Sequence, residues 1–155
     1  MIVSGTGHRP NKLGGYSTEA FKNLCNLADF IVKELKPDMV ISGMALGWDQ
    51  ALAMAAILNN IPFTAAIPFQ GQQNAWPDRS RMIYCNLLEK ASKQVVVCDG
   101  GYAAWKMQRR NEWMVDNADK VIALWDGSDG GTANCVNYAS KVGKEVINYW
   151  NIYSR

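Results

Sequence analysis

The sequence VIALWDGSDGGTANCVNYA, residues Val121–Ala139, decides the fold of this chain. Its first five residues form an apolar run that is too short for a helix and is typical of a buried strand. Turn residues follow at Asp126–Gly130, and from Gly131 and Thr132 onward apolar side chains recur at helical spacing. A buried strand, a Gly-rich turn and a helix N-terminus leave free backbone N–H groups beside the positive end of a helix dipole, which suits a phosphate. An ordinary strand-to-helix turn has the same pattern, so the stretch alone leaves both interpretations open.

The composition describes a globular chain with no obvious charged or lipid partner. The chain has 155 residues, of which 48% are apolar and 19% charged, and its net charge is +2. These values predict one domain with a full core, and the charge alone implies neither nucleic acid nor an anionic membrane. The first residues lack a signal-peptide pattern, and no apolar run reaches the length of a membrane span. The four cysteines are widely separated, which predicts reduced thiols in a cytoplasmic protein without a zinc site.

Strand-like and helix-like segments alternate along the chain. Strands are predicted at Met1–Ser4, Met39–Ser42, Phe63–Ile67, Gln94–Cys98, Val121–Trp125 and Glu145–Trp150, and helices at Ser17–Leu35, Trp48–Asn59, Asp78–Ser92, Met107–Asn117 and Ala133–Val142. Strict alternation predicts a doubly wound α/β domain, a Rossmann-like fold with a mainly parallel sheet covered by helices on both faces. The segments leave no room for a linker, so a single domain is expected over residues 1–155.

Gly-containing turns are predicted after three of these strands. They contain Gly5 and Gly7, then Gly43 and Gly47, then Gly127, Gly130 and Gly131. In a doubly wound fold the carboxyl ends of the strands share one edge, and ligands bind there at the switch in strand order. Three such turns on one edge favour a nucleotide-like ligand over ordinary connections.

The predicted helix Trp48–Asn59 is apolar almost all round. A helix of this kind in a small domain must be covered on more than one side. The pattern therefore predicts either deep burial or a contact between subunits, and we expect a homodimer or a larger oligomer.

Four ordered motifs resemble the SLOG (SMF/DprA–LOG) superfamily, and most closely its YpsA-like single-domain branch. The motifs are GTGHRP (5–10), SGMALGWDQALAMAA (42–56), RRNEWMVDNAD (109–119) and WDGSDGGTANCVNYA (125–139). The resemblance covers nearly the whole chain. It implies a Rossmann-like fold, a nucleotide or nucleotide-derived ligand at the strand ends, and often a dimer.

The resemblance also implies what the enzymatic members of that superfamily would require. The LOG-type phosphoribohydrolases cleave the N-glycosidic bond of nucleoside monophosphates with the Arg of R-K-x-x-M and the Glu of G-G-x-G-T-x-x-E. The Arg falls on Arg110 and the Met on Met114, while Asn111 replaces the Lys. The Gly-Thr pair falls on residues 131–132, and the Glu position falls on Cys135. A thiol does not stabilise an oxocarbenium ion or activate water as a carboxylate does, so the match favours binding over hydrolysis.

The expected ligand-binding residues come from these turns and motifs. They are Gly5, Thr6, Gly7, His8, Arg9, Gly43, Met44, Gly47, Asp49, Arg110, Asn111, Gly130, Gly131, Thr132, Ala133 and Asn134. If the chain is a hydrolase, the candidate catalytic residues are Arg110, Asp49, Asp126 and Asp129. Neither a metal nor a resident cofactor is expected.

Several of these residues have a second interpretation. His8 is the only histidine, and it suits either a phosphate contact or a hydrogen bond that fixes its loop. Arg9 suits an anion because a guanidinium forks onto phosphate oxygens. Asp49 is interpreted either as an acceptor for ribose hydroxyls or as an Asp that stabilises the first turn of its helix. Cys135 is interpreted as a small packed residue, because no partner base is predicted beside it.

Two functions therefore stay open from the sequence. The first is a sensor or sequestering protein for a nucleotide-derived signal, such as an ADP-ribose derivative or a cyclic nucleotide. The alternative is an N-glycosidic hydrolase of nucleoside phosphates that uses a non-standard acid. Single-stranded DNA binding is disfavoured because the basic residues are scattered.

Overall fold

The computed structural model describes all 155 residues, with six strands and six helices. The strands are β1 (Ile2–Gly7), β2 (Met39–Ser42), β3 (Phe63–Ile67), β4 (Lys93–Val96), β5 (Lys120–Leu124) and β6 (Glu145–Asn148). The helices are α1 (Thr18–Leu35), α2 (Trp48–Leu58), α3 (Asp78–Glu89), α4 (Ala104–Asp116), α5 (Gly131–Lys141) and α6 (Trp150–Tyr153), and a 3₁₀ turn covers Pro10–Lys12. No helix combines the length and apolar character needed to cross a bilayer.

All six strands pair in parallel, in the order β4-β3-β2-β1-β5-β6. The chain adds strands on one side of β1 as far as β4 and then returns to the other side for β5. The switch in strand order therefore lies between β1 and β5, where loops diverge and leave a crevice. The predicted doubly wound, Rossmann-like fold is confirmed.

Two sets of helices cover the two faces of the sheet. Successive strand residues point to opposite faces, so Val40 packs in the core that includes α1 and α2, and Ile41 packs in a separate cluster with Met114 of α4. α4 also packs against α5. A third cluster joins Val121 to Cys135 of α5. The apolar positions predicted from periodicity thus form the core on both faces.

The first Gly-containing segment differs from its prediction, because Gly5–Gly7 continue β1 instead of forming a turn. They pair with β5 in register, with Gly5 opposite Ile122 and Gly7 opposite Leu124. A Cβ on Gly7 would lie 2.6 Å from the Cβ of Trp48, and one on Gly5 would lie 2.1 Å from a methyl carbon of Leu52. These glycines therefore let α2 approach β1 closely.

The apolar helix α2 is covered within the chain. Eight of its residues are buried, and α2 packs against α1, α3 and the sheet. The helix therefore needs no partner subunit for its cover, and its apolar character gives no reason to expect a dimer. The structure differs from the predicted elements at other places too. α4 begins at Ala104 instead of Met107, the 3₁₀ turn was not predicted, and the last strand stops at Asn148, after which Trp150–Tyr153 form α6.

Candidate functional site

A polar cleft of about 250 Å³ lies at the carboxyl ends of β1 and β5. Of its fifteen lining residues only Met107 is hydrophobic. The cleft occupies the switch point in strand order, where an α/β sheet has an open crevice. The fold thus forms a polar crevice at this edge.

The N-terminus of α5 forms one wall of the cleft. Gly130 precedes the helix with a φ of 140°, which a glycine adopts without strain. The first intrahelical hydrogen bond runs from the N–H of Asn134 to the carbonyl of Gly130 at 3.0 Å. The N–H groups of Gly131, Thr132 and Ala133 donate no hydrogen bond within the protein. Free N–H groups at the positive end of a helix dipole attract an anion.

Two basic side chains from the segment after β1 also line the cleft. The side chain of Arg9 is exposed and makes no hydrogen bond. Lys12 lies in the 3₁₀ turn, and its Nζ donates to Ser128 Oγ at 2.7 Å. Its Nζ is also 3.9 Å from Oδ2 of Asp126. These contacts hold a positive charge close to the turn that leads into α5.

His8 and Asp126 join the ends of the two strands that flank the cleft. Nε2 of His8 lies 2.8 Å from Oδ1 of Asp126 and 3.0 Å from the backbone N of the same residue. The Asp126 carboxylate also accepts hydrogen bonds from the side chain and backbone of Ser128. Ser128 first and then His8 hold the pKa of Asp126 well below its usual range. The hydrogen bond that fixes the loop, one of the two roles predicted for His8, is present.

Arg110 and Asp49 form the floor of the cleft. Nη1 of Arg110 donates to the carbonyls of Gly43 at 2.6 Å and Ala66 at 3.1 Å. Oδ2 of Asp49 accepts from the N–H of Ala45 at 3.3 Å. Burial raises the pKa of Asp49, and the charges of Arg110 and Arg9 oppose that shift. Burial also lowers the pKa of Arg110, against the effect of Asp49, but a guanidinium stays cationic at neutral pH.

Cys135 lies beneath this floor and is 2% exposed. Burial raises the pKa of its thiol to about 11, while a hydrogen bond with Thr6 acts in the opposite direction. The group is therefore a neutral thiol at physiological pH rather than a nucleophilic thiolate. It packs with Val115, Val121 and Ala139.

The structure brings most of the predicted site residues together in the cleft. Eleven of the sixteen line it, namely Gly5, Thr6, Gly7, His8, Arg9, Asp49, Arg110, Asn111, Gly130, Gly131 and Thr132. Asp129, a candidate catalytic residue, also lines the cleft, whereas Asp126 lies behind it in contact with His8.

The remaining five predicted residues lie outside the lining of the cleft: Gly43, Met44, Gly47, Ala133 and Asn134. Gly43 lies beneath Arg110, and a Cβ there would lie 2.7 Å from Nη1 of that side chain. Met44 is fully buried, and Gly47 packs against the carbonyl of His8. The second Gly turn therefore supports the floor from below.

Three lining residues were not predicted, namely Asn11, Lys12 and Met107. Met107 lies one helical turn before Arg110, so the helical spacing carried a signal for it. Asn11 and Lys12 follow the HRP motif directly, but only the 3₁₀ turn, which was missed, bends them toward the cleft.

Fold and site together define a Rossmann-like protein with a polar cleft at the switch point of its sheet. A family model described as the YspA SLOG family matches residues 3–152. The chain belongs to that family. It is also 35% identical over 136 residues to the uncharacterized SPbeta prophage-derived protein YoqJ of Bacillus subtilis (strain 168). That match covers 77% of this chain and 79% of YoqJ.

Solved structures share the same fold at low sequence identity. DNA processing protein A from Streptococcus pneumoniae is 20% identical with a TM-score of 0.66, over 95% of this chain and 49% of the other. The chain thus spans about half the length of that protein. The molybdenum cofactor binding protein from Rippkaea orientalis is 19% identical with a TM-score of 0.60, over 99% of this chain and 84% of the other.

Proposed function

We propose that the cleft binds the phosphate of a nucleotide or a nucleotide-derived small molecule, and that the protein acts as a sensor or sequestering protein. The observation that carries the proposal is the free N-terminus of α5, which shares the cleft with Arg9, an exposed side chain that forms no ion pair. Lys12 adds a second positive charge on the same side. Helix N–H groups and basic side chains in one crevice favour a phosphate over a neutral ligand.

Intact binding is favoured over hydrolysis by the neutral thiol at Cys135. The position that holds a Glu in the hydrolases of the superfamily is here an apolar, buried group. A protein described as a molybdenum cofactor binding protein shares the fold, which is consistent with a bound small molecule.

The direct test is a titration calorimetry panel that pairs each nucleotide with its nucleoside. The panel contains AMP, ADP, ADP-ribose and cyclic AMP, with a single-stranded oligonucleotide included because DNA processing protein A shares the fold. We expect at least one phosphate compound to bind roughly tenfold or more tightly than its nucleoside. Equal affinity for nucleotide and nucleoside contradicts the phosphate site. A preference for the oligonucleotide would mean that the ligand is single-stranded DNA rather than a small nucleotide.

The alternative, an N-glycosidic hydrolase, is supported by one observation, the buried carboxyl of Asp49. It lies at the floor beside Arg110, and burial raises its pKa, which is what a general acid needs. Base release should be followed for hours with the same panel. Turnover above the buffer blank that Asp49→Asn abolishes and Cys135→Ala retains would establish the hydrolase.

Self-association remains part of the proposal, because the superfamily resemblance implies a dimer. Light scattering at high protein concentration tests it. A mass near the 17.2 kDa of one chain contradicts a dimer.

A further inference from the structure

The carboxylate of Asp49 has one oxygen that the protein leaves without a partner. The residue is 8% exposed, and that remaining surface lies in the cleft. Oδ2 accepts from the N–H of Ala45, whereas Oδ1 makes no hydrogen bond within the protein. This oxygen keeps its access to the cleft, so it is open to a donor that arrives with a ligand.

Arg110 presents the complementary group beside it. The residue is 3% exposed, and Nη1 already donates to two carbonyls. Nη2 makes no hydrogen bond within the protein, and the side chain lines the cleft. The two groups are neighbours, because a Cβ on Gly43 would lie 2.7 Å from Nη1 of Arg110 and 2.8 Å from Oδ2 of Asp49. The floor therefore holds an acceptor and a donor side by side.

This pair differs from the wall formed by α5. A phosphate at the floor would face the carboxylate of Asp49, and like charges repel strongly in a buried site. A sugar diol fits better, since one hydroxyl donates to the carboxylate and the neighbouring hydroxyl accepts from the guanidinium. The electrostatics thus orient a ligand with its phosphate at the helix N-terminus and its hydroxyls at the floor.

We infer that Asp49 and Arg110 form a ribose subsite and make the cleft selective for ribose over 2-deoxyribose phosphates. This inference rests on the proposed function, and it specifies the sugar of the ligand as ribose. Selectivity follows because a deoxy sugar leaves part of the donor–acceptor pair buried without a partner.

The experiment compares ribose 5-phosphate with 2-deoxyribose 5-phosphate, and AMP with 2′-deoxy-AMP, by calorimetry on the intact protein. We expect the unmodified protein to bind the ribose member of each pair roughly tenfold to a hundredfold more tightly. Asp49→Asn should bring the ratio below about threefold, chiefly by weakening the ribose compound. The matched control is Asp78→Asn, which removes an exposed carboxylate from the first turn of α3 outside the cleft and should keep the ratio.

The outcomes separate the two proposals. If neither member of either pair binds, the ribose subsite is overturned, and the phosphate site is decided separately by the nucleotide panel. If both members bind equally, the phosphate site stands and the ribose subsite is overturned. If Asp49→Asn keeps the ratio of ribose to deoxyribose affinity, Asp49 does not contact the sugar hydroxyls. The ratio for the unmodified protein decides sugar selectivity even if Asp49→Asn fails to fold.

Discussion

The Gly-rich segments Gly5–Gly7 and Gly127–Gly131 look alike in sequence and face the same cleft, but their glycines meet different physical requirements. At Gly5 and Gly7 the backbone is an extended strand, and any Cβ would collide with α2. At Gly127 and Gly130 φ is 92° and 140°, and nothing lies within 4 Å of an added Cβ.

This difference separates stability from binding. The glycines of β1 bring Trp48 and Leu52 against the sheet, so substitutions there act on the core. The glycines before α5 shape a turn and leave the helix N-terminus accessible, so substitutions there act on the ligand. Four predictions test the separation.

The largest effect is expected for Gly7→Ala. The new Cβ would meet the Cβ of Trp48, an atom next to the backbone of a fully buried residue that cannot rotate away. We expect the free energy of unfolding to fall by about 3 kcal/mol, measured by denaturant titration. Gly101→Ala is the control, because nothing lies near its added Cβ and its φ is not positive, and it should change stability by less than about 0.5 kcal/mol. Equal losses for the two variants would refute the packing role.

The second prediction concerns Gly131→Asp, which adds a carboxylate at the wall of the cleft. The space is open, and an acidic residue suits the first turn of a helix, so the free energy of unfolding should stay constant or rise by about 0.5 kcal/mol. Affinity for the nucleotide that binds the unmodified protein should fall roughly tenfold to a hundredfold through repulsion of its phosphate. Thr132→Val, which removes a hydroxyl donor and keeps the shape, should weaken binding less.

The control for that experiment is Gly101→Asp. It adds the same charge at an open glycine outside the cleft, and calorimetry should return unchanged affinity. Unchanged affinity in Gly131→Asp as well would move the phosphate away from α5.

The order of the elements could be predicted from the sequence because apolar runs and turn residues are local signals. β2 and β3 were predicted with their observed bounds, Met39–Ser42 and Phe63–Ile67. The end of β1 was not, because its GTG sequence suits a turn, and only the pairing of Gly5–Gly7 with β5 keeps it extended. The short α6 was missed since its aromatic residues also suit a strand.

The same distinction applies to the site. Glycines and charged residues beside the strand ends located the cleft, because parallel strands deliver their carboxyl ends to one edge. Asp49 and Arg110 are 61 positions apart (110 − 49) and lie near each other over Gly43, and no local pattern encodes that proximity. Local signals also failed to show that α2 is covered by its own chain.

The third prediction follows the thiol of Cys135, which lies in the helix after the second segment, through alkaline pH. Burial raises the pKa of Cys135 from 9.0 to about 11, so folding disfavours the thiolate. This contribution to stability is complete below pH 9 and is lost as the pH rises toward 11, about 1.4 kcal/mol of it by pH 10. Cys25 has its pKa raised to about 11 in the same way and contributes a parallel loss.

The measurement compares the unmodified protein with Cys135→Ala by denaturant titration at pH 8 and pH 10. The cavity in Cys135→Ala lowers the free energy of unfolding by the same amount at both pH values. Between pH 8 and pH 10, the free energy of unfolding should therefore fall by about 1.4 kcal/mol less in the variant than in the unmodified protein. An identical pH dependence in both proteins would mean that the thiol of Cys135 is solvated in the folded state.

The smallest effect is expected for Lys12→Met, which removes one positive charge from the cleft and keeps the aliphatic stem. The side chain is 41% exposed, so solvent screens its attraction for a phosphate far more than it screens the helix N-terminus. We expect the affinity for the nucleotide to fall roughly threefold to tenfold. Raising the salt concentration from about 0.05 M to about 0.5 M should weaken binding less in the variant than in the unmodified protein. Lys141→Met is the matched control, because Lys141 lies at the opposite end of α5, about 15 Å away along the helix axis. If both lysine variants lower the affinity alike, the net charge of the whole protein attracts the ligand. The two Gly-rich segments would then differ in their effect on stability but not in their effect on binding.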